Sequence, residues 1–325
     1  MKVKVSDLRG KVLAGVSKLG YEGEEAETIA EVLLYAQTRG NNQGIVKIAT
    51  GGVPKASEVE ELRVAKENKC GVLLSGGHSM VASAKAADMA VDLAKRHGVG
   101  VVCVNHTFSS SGAIGYFSRR IAKASYIGFM CTGSTAALVA PSGSADPKFG
   151  TNPFSYAFPY KDGEVVFDSA TAAMSRFGVI EADLNGEELP AGVGYDKDGN
   201  ASTSPAAVLQ GATATFAGHK GFGLALFVQL LCSAVSLAGI SSAHQEDGWG
   251  TFVMAIDPSL FADADEYTRR ATELVELMKS AKPLPGQQIL LPGERGDALA
   301  KQAEDSGEIE IADAVWQELV HFVDA

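Results

Sequence analysis

Asp168 follows the apolar run Val165-Val166-Phe167 and precedes the small residues Ser169-Ala170-Thr171-Ala172-Ala173. A carboxylate at such a strand end either faces a ligand or caps the helix that follows. His106 comes just after the β-branched run 99–104 and just before Thr107, Ser109, Ser110 and Ser111. An imidazole among hydroxyls reads as a proton relay or as a structural hydrogen-bonding group. The run Gly218-His219-Lys220-Gly221-Phe222-Gly223 opens a long apolar segment. Such a start places backbone N–H groups and the Lys220 cation against a phosphate, or is a helix start with packing glycines. The Gly-, Ser- and Pro-rich stretch 132–153 is too long for a plain connector and is a functional-loop candidate.

Several chemistries are absent. No strand is followed by G-x-G-x-x-G, and neither a P-loop motif nor G-x-S-x-G occurs, so a standard Rossmann or phosphate-loop site is not supported. The cysteines Cys70, Cys103, Cys131 and Cys232 form no C-x-x-C pair and no zinc-spaced cluster, and they read as buried thiols in a reducing compartment. The net charge of −11, with no basic stripe beyond Arg119-Arg120, argues against nucleic acid as a partner. The N-terminal residues contain no signal-peptide pattern, and a cytoplasmic location is expected. Residues 221–240 carry no charge over about the length of a bilayer span. Gln229 and several Ser and Gly interrupt them, so a fully buried core helix is expected there, with no membrane partner.

The elements that must position these residues follow from periodicity. Residues 4–19 and 22–38 read as amphipathic helices, the second with acidic first turns and a stop at Gly40 and Asn41-Asn42. Residues 56–68 read as a short polar helix or loop. A short apolar run at 72–74, an Ala-rich helix at 80–97, a buried strand at 99–104, a helix at 111–124 and a strand at 126–131 come next. Two alternating runs around Lys161-Asp162-Gly163 predict a hairpin over 154–168. Residues 180–210 are polar and turn-rich. A helix at 219–238, a strand at 250–257 and helices at 263–281 and 309–323 complete the chain. This alternation predicts an α/β fold with a mixed, largely antiparallel sheet, and a helical lobe from the N- and C-terminal segments. The expected division is 1–68 with 283–325 as helical lobe and 69–282 as cofactor lobe.

The chain resembles the type 2 malate/L-lactate dehydrogenase family. That family also holds sulfolactate, ureidoglycolate and diketogulonate dehydrogenases and the Δ1-piperideine- and Δ1-pyrroline-2-carboxylate reductases. The runs that carry the resemblance are Gly150-Thr151-Asn152-Pro153, Val166-Phe167-Asp168-Ser169-Ala170-Thr171, residues 194–200, residues 216–224 and Leu291-Pro292-Gly293-Glu294-Arg295. The resemblance implies a non-Rossmann nicotinamide fold, NAD or NADP as cofactor, and a homodimer whose active site lies between the helical region and the cofactor lobe. It implies that Thr132, Gly133, Ser134, Asn152, Phe167, Asp168, Ser169 and Ala170 line the nicotinamide side. His219, Lys220 and Gly221 are expected to touch the cofactor, with Gly293, Glu294 and Arg295 near its nucleotide end. The choice of NAD or NADP rests on residues near the adenosine ribose, with Arg176 a candidate.

Two departures bear on mechanism. The family usually reads Arg-Gly-x-x-Ser-His-Gly-x-x-Arg, whereas this chain has Arg39-Gly40-Asn41-Asn42-Gln43-Gly44-Ile45-Val46-Lys47, one residue shorter. Asn42 stands for the serine, Gln43 for the histidine and Lys47 for the arginine. The family's second histidine, in Asn-His-Phe-Gly, falls on Ser110, or on Ser109 with the extra residue placed differently. Reduction of a 2-oxo acid needs a proton at the developing alkoxide, and histidine supplies one well near neutral pH. Gln43 has no titrating proton, and Ser110 must pass one from a neighbour or a water. A cyclic imine brings its own proton, so replacement of both histidines raises the imine reading beside the oxo-acid one. Lys47 keeps a positive charge for a small carboxylate substrate, without arginine's fork. Asp168 would hold an iminium charge or orient a proton donor. The catalytic candidates are therefore Ser110, His106, Asp168, Gln43 and Lys47.

Overall fold

The computed structural model describes the backbone of every residue but Ser241 and the side chains of all but residues 241–243. In chain order, strand β1 is Lys2–Lys4, followed by helices α1 (Val5–Lys18), α2 (Gly23–Thr38) and α3 (Val46–Ala49). Then come β2 (Arg63–Glu67), β3 (Gly71–Ser75), α4 (Ser79–His97), β4 (Val99–Thr107), α5 (Gly115–Lys123), β5 (Ile127–Gly133), β6 (Phe154–Tyr160) and β7 (Gly163–Ser169). They are followed by α6 (Arg176–Asn185), β8 (Gly194–Tyr195), β9 (Ala201–Ser202), α7 (Pro205–Gln210), β10 (Ala212–Thr213) and α8 (His219–Gln229). The chain closes with β11 (Trp249–Ile256), α9 (Ala264–Lys279), α10 (Glu294–Ser306), β12 (Glu308–Glu310) and α11 (Asp313–Asp324).

The main sheet has seven strands in the order β2-β3-β4-β11-β5-β6-β7. Only β3 and β4 run parallel, joined through α4, and every other neighbouring pair is antiparallel. The expected mixed, largely antiparallel sheet is therefore present. The hairpin of β6 and β7 turns at Lys161-Asp162, with Tyr160 opposite Gly163. Its strands carry Ser155 opposite Asp168, so the hairpin sets the height of Asp168 above the sheet.

Helices α1, α2, α3 and α11 pack together, and β1 pairs with β12 in a separate two-stranded sheet. One continuous apolar core runs from Leu8, Ile29 and Leu33 of these helices through Met80 and Ile114 to Val102 and Val253 of the main sheet. At roughly 25 cal/mol per Å² of apolar surface, it is this burial that fixes α1 and α2 against the sheet.

Four local expectations need correction. Residues 56–68 contain strand β2, whose Arg-Val-Ala-Lys-Glu sequence is exposed throughout because it is a charged edge strand. Helix α6 lies inside the polar stretch 180–210 and its approach, capped by Ser175, whose hydroxyl accepts from the Gly178 N–H. Helix α10 follows the Pro-rich stretch. The apolar segment 221–240 is no buried core helix: α8 ends at Gln229 and a π-turn spans Leu230–Val235. Leu226, Phe227, Leu230, Val235, Leu237 and Ile240 are all exposed on it, since only every third or fourth side chain reaches the sheet. Among the described residues no helix is long and apolar enough to cross a membrane.

Candidate active site

A cleft of about 1120 Å³ opens between the N-terminal helices, the sheet end and the start of α6. That is ample beside the roughly 300–1,000 Å³ of ordinary small-molecule sites. Its walls come from segments far apart in sequence: Tyr35 to Gln43, Phe108 to Gly112, Thr132 to Ser134, Val166 to Ala170, Ser175 to Phe177 and Leu291 to Gly296. Of the residues singled out from sequence, Gln43, Ser110, Asp168, Thr132, Gly133, Ser134, Asn152, Phe167, Ser169, Ala170, Gly293 and Arg295 line it.

Others lie elsewhere. His106 sits within β4 in a left-handed conformation (φ 53°), set against the turn at Gly248, and does not line the cleft. His219, Lys220 and Gly221 form the first turn of α8 outside the cleft, with His219 and Lys220 exposed. Glu294 pairs with Lys279 at 2.5 Å and accepts from the Leu291 N–H, which fixes the start of α10. His78 caps α4, its Nδ1 accepting from the Met80 N–H. Burial, with the nearby Lys47 charge, pushes its pKa down to about 3, so this imidazole stays neutral.

Asp168 does not cap the helix that follows it, because Ser175 does that. It instead accepts the Gly115 N–H at 2.8 Å, at the first turn of α5. A side chain at Gly115 would meet Asp168 Cβ at 3.0 Å, so glycine permits the approach. Burial pushes the Asp168 carboxyl up to about 6, and the Gly115 hydrogen bond only partly opposes this. A cleft carboxyl that changes charge near pH 6 can steady a cation in its ionised form and donate a proton in its neutral form.

Lys47 occupies a different place from the one its sequence position suggests. It is 0% exposed, does not line the cleft, and hydrogen-bonds Ser110 Oγ at 2.5 Å. Its ammonium lies 3.5 Å from the centre of the Phe177 ring. Burial holds its pKa well below the ordinary lysine value. Gly52 makes room for this stack, since a Cβ there would meet Lys47 Cβ at 2.8 Å and Phe177 Cζ at 2.9 Å. A direct contact of Lys47 with a substrate carboxylate is therefore replaced by a contact with Ser110. Gln43 Nε2 donates to Asn42 Oδ1, which also accepts from the Ser175 hydroxyl, tying the loop after α2 to the start of α6.

Three arginines line the cleft among the described residues: Arg176 and Arg295, both expected from the sequence to lie near the cofactor, and Arg39, at the head of the shortened Arg-Gly stretch. Arg39 lies 3.9 Å over the Tyr35 ring and shares Asp297 with Arg119. Arg176 is half-buried and donates to the Leu209 carbonyl at 3.2 Å. Among the described residues it makes no ion pair, and burial lowers its pKa. Asn152 spends its amide on Ala225 O and Gln229 Oε1 and leaves its buried Oδ1 without a partner, in the cleft wall. An orphaned acceptor suits a carboxamide N–H₂, and Arg39 and Arg295 suit a diphosphate, so these residues fit a nicotinamide dinucleotide. No group of three or more metal-ligating side chains occurs among the described residues.

Comparison with known proteins places these features in context. The sequence profile of the malate/L-lactate dehydrogenase family matches residues 3–320. The chain is 30% identical to malate/(S)-sulfolactate dehydrogenase of Methanothermus fervidus, across 100% of this chain and 98% of that protein. It is 30% identical to ureidoglycolate dehydrogenase (NAD(+)) of Escherichia coli O157:H7, across 98% and 95% of the two chains. The structure of Δ1-piperideine-2-carboxylate reductase from Pseudomonas syringae pvar. tomato superposes with a TM-score of 0.83 at 27% identity, covering 99% of each chain.

Proposed function

The chain belongs to the malate/L-lactate dehydrogenase family and is an oxidoreductase, and from this premise we propose that it interconverts a small 2-oxo acid and its 2-hydroxy acid with NAD or NADP. The observation that carries this reading is a single cleft joining an unpaired, half-buried guanidinium, Arg176, to a titratable carboxyl, Asp168. A substrate carboxylate completes the ion pair that Arg176 lacks, in the bidentate geometry open to arginine. A nicotinamide held in the cleft would supply or accept the hydride at the substrate's C2. Thr132, Gly133, Ser134 and Phe167–Ala170 would hold it, with Asn152 Oδ1 free to accept from its carboxamide and with Gly293 and Arg295 on the remaining wall. On this reading a non-Rossmann cofactor lobe takes in residues 69–282 together with β2, which belongs to the same sheet, and the rest of residues 1–68 with 283–325 forms a helical lobe that closes it.

One observation favours a second reading. Among the described residues no histidine lines the cleft, and Asp168 in its ionised form would steady a cyclic iminium. A reductase of Δ1-pyrroline- or Δ1-piperideine-2-carboxylate follows from that. The test is oxidation of NADH and NADPH with pyruvate, oxaloacetate, a diketo sugar acid and both imines. Turnover of oxo acids supports the first reading, turnover of imines alone the second, and no turnover with any substrate removes both.

The assembly proposed is a homodimer in which a second copy covers the uncharged exposed face of Leu226, Phe227, Leu230, Val235, Leu237 and Ile240. Monomers rarely expose contiguous apolar patches beyond a few hundred Å². Phe227→Glu should halve the mass seen by sedimentation, and an unchanged mass would place the interface elsewhere.

A further inference from the structure

We propose that Ser110 and Lys47 form a proton-transfer pair. Ser110 exchanges the proton with the substrate oxygen, and Lys47 is the buried store behind it. This rests on the oxo-acid reading above. Ser110 lines the cleft, and its Oγ accepts from Lys47 Nζ at 2.5 Å and from the Gly112 N–H at 3.3 Å. A hydroxyl oxygen has two lone pairs and one proton. With both lone pairs engaged by the protein, the Ser110 proton is left for a partner in the cleft. The loop that carries it is pinned, since the Ser79 N–H donates to Ser109 Oγ and the Ser79 hydroxyl donates to the Ser109 carbonyl.

The surroundings of Lys47 leave Ser110 as the one hydrogen-bond partner of its ammonium among the described residues. From α6 the Phe177 ring covers it, and Arg176 turns to the Leu209 carbonyl. From α1, Lys11 pairs with Asp324 of α11, and Lys18 donates to the Phe322 carbonyl. Before α4, His78 stays neutral. Among the described residues no carboxylate pairs with Lys47, so burial is the dominant influence on its proton affinity. The aromatic face offers the ammonium partial compensation. Burial thus loosens the hold of this amine on its proton while the ring and the Ser110 hydroxyl keep it in place.

In the reducing direction the carbonyl carbon accepts two electrons with the hydride, and the reduced nicotinamide is oxidised. The new O–H bond forms as the Ser110 O–H bond breaks. Ser110 Oγ recovers a proton from the Lys47 ammonium, leaving a neutral amine, and a solvent proton reloads it through the same hydroxyl. Oxidation of the hydroxy acid runs these transfers backwards, the neutral amine accepting the proton. An imine that arrives protonated needs none of them.

The test compares Ser110→Ala, Lys47→Met and Lys47→Arg on an oxo acid and on Δ1-piperideine-2-carboxylate across pH. Ser110→Ala and Lys47→Met should lower kcat for the oxo acid about 100-fold with little change in KM, and imine turnover far less. Lys47→Arg keeps charge and donor but cannot release its proton. It should therefore fail to restore activity and should erase a pH limb that Asp168→Asn leaves in place. Independently of substrate, the lysine side-chain NMR signal lost in Lys47→Met should titrate below the ordinary lysine range in the free protein. Full oxo-acid turnover with an unchanged pH profile in either Lys47 variant overturns the pair, as does ordinary lysine titration of that signal. A wild-type protein inactive on every oxo and hydroxy acid overturns the functional reading instead, and the NMR titration then decides the pair alone.

Discussion

Arg119 and Lys47 are both buried cations behind the wall of one cleft, yet only Arg119 meets carboxylates. Arg119 is held by Asp297 at 2.5 Å and by Glu164 at 2.9 Å. Burial works against its charge, but the Asp297 hydrogen bond and the surrounding charges outweigh that and raise its pKa. Lys47 is more deeply buried and meets a hydroxyl and a ring, and its pKa falls. The difference teaches what a partner does to a buried charge. With carboxylates it becomes a fixed strut joining α5, β7 and α10. Without them it becomes a group whose proton is loosely held.

The largest expected effect breaks the strut. Asp297→Ala leaves Arg119 buried with one partner and should cost about 3 kcal/mol by thermal or urea unfolding. A loss below about 1 kcal/mol would make Arg119 no more constrained than a surface pair. Next, Arg176→Leu should raise KM for a 2-oxo acid by about 10- to 100-fold with kcat nearly constant, the value of a charged hydrogen bond. An unchanged KM would move the carboxylate to another cation.

Asp168→Asn should stabilise the protein at pH 8 by about 2 kcal/mol while lowering activity. The sign follows from a carboxyl raised from 3.8 to about 6. The native state binds the extra proton between those values, so its stability falls as pH rises through 6, and Asn removes that loss. Thermal unfolding at pH 5 and pH 8 measures it, and an equal gain at both would deny the shift. The smallest effect is on Lys47. Lys47→Met should add about 1 kcal/mol near pH 7, a gain that shrinks as pH rises toward the ordinary lysine pKa, since the unfolded chain there binds no extra proton. Loss of stability at pH 7 would show that Lys47 serves as a strut too.

Much of the fold was legible because it is local. The acidic helix start after residue 22 and the turn at Lys161-Asp162 both lie where their sequences put them. Strand β2 was not, because its charges resemble a loop and only the neighbouring β3 makes it a strand. In the site, Asp168 and Ser110 were visible from their strand ends and loops. Lys47 was visible as a residue but misplaced in role, since its burial depends on Phe177, far along the chain, and on the absence of a side chain at Gly52. His106 shows the converse: its neighbours suggested a relay, but the backbone turns it away from the cleft.

Asp297 accepts from Arg39 as well as Arg119, and so one carboxylate tethers α10 to both α2 and α5. Helix α10 begins at the cleft edge, with Gly293 and Arg295 in the wall. Departure of a long ligand past that edge therefore works against a single anionic latch, partly open to solvent and so responsive to salt. Residence time should shorten with ionic strength, while the chemical step deeper in the cleft keeps its pace.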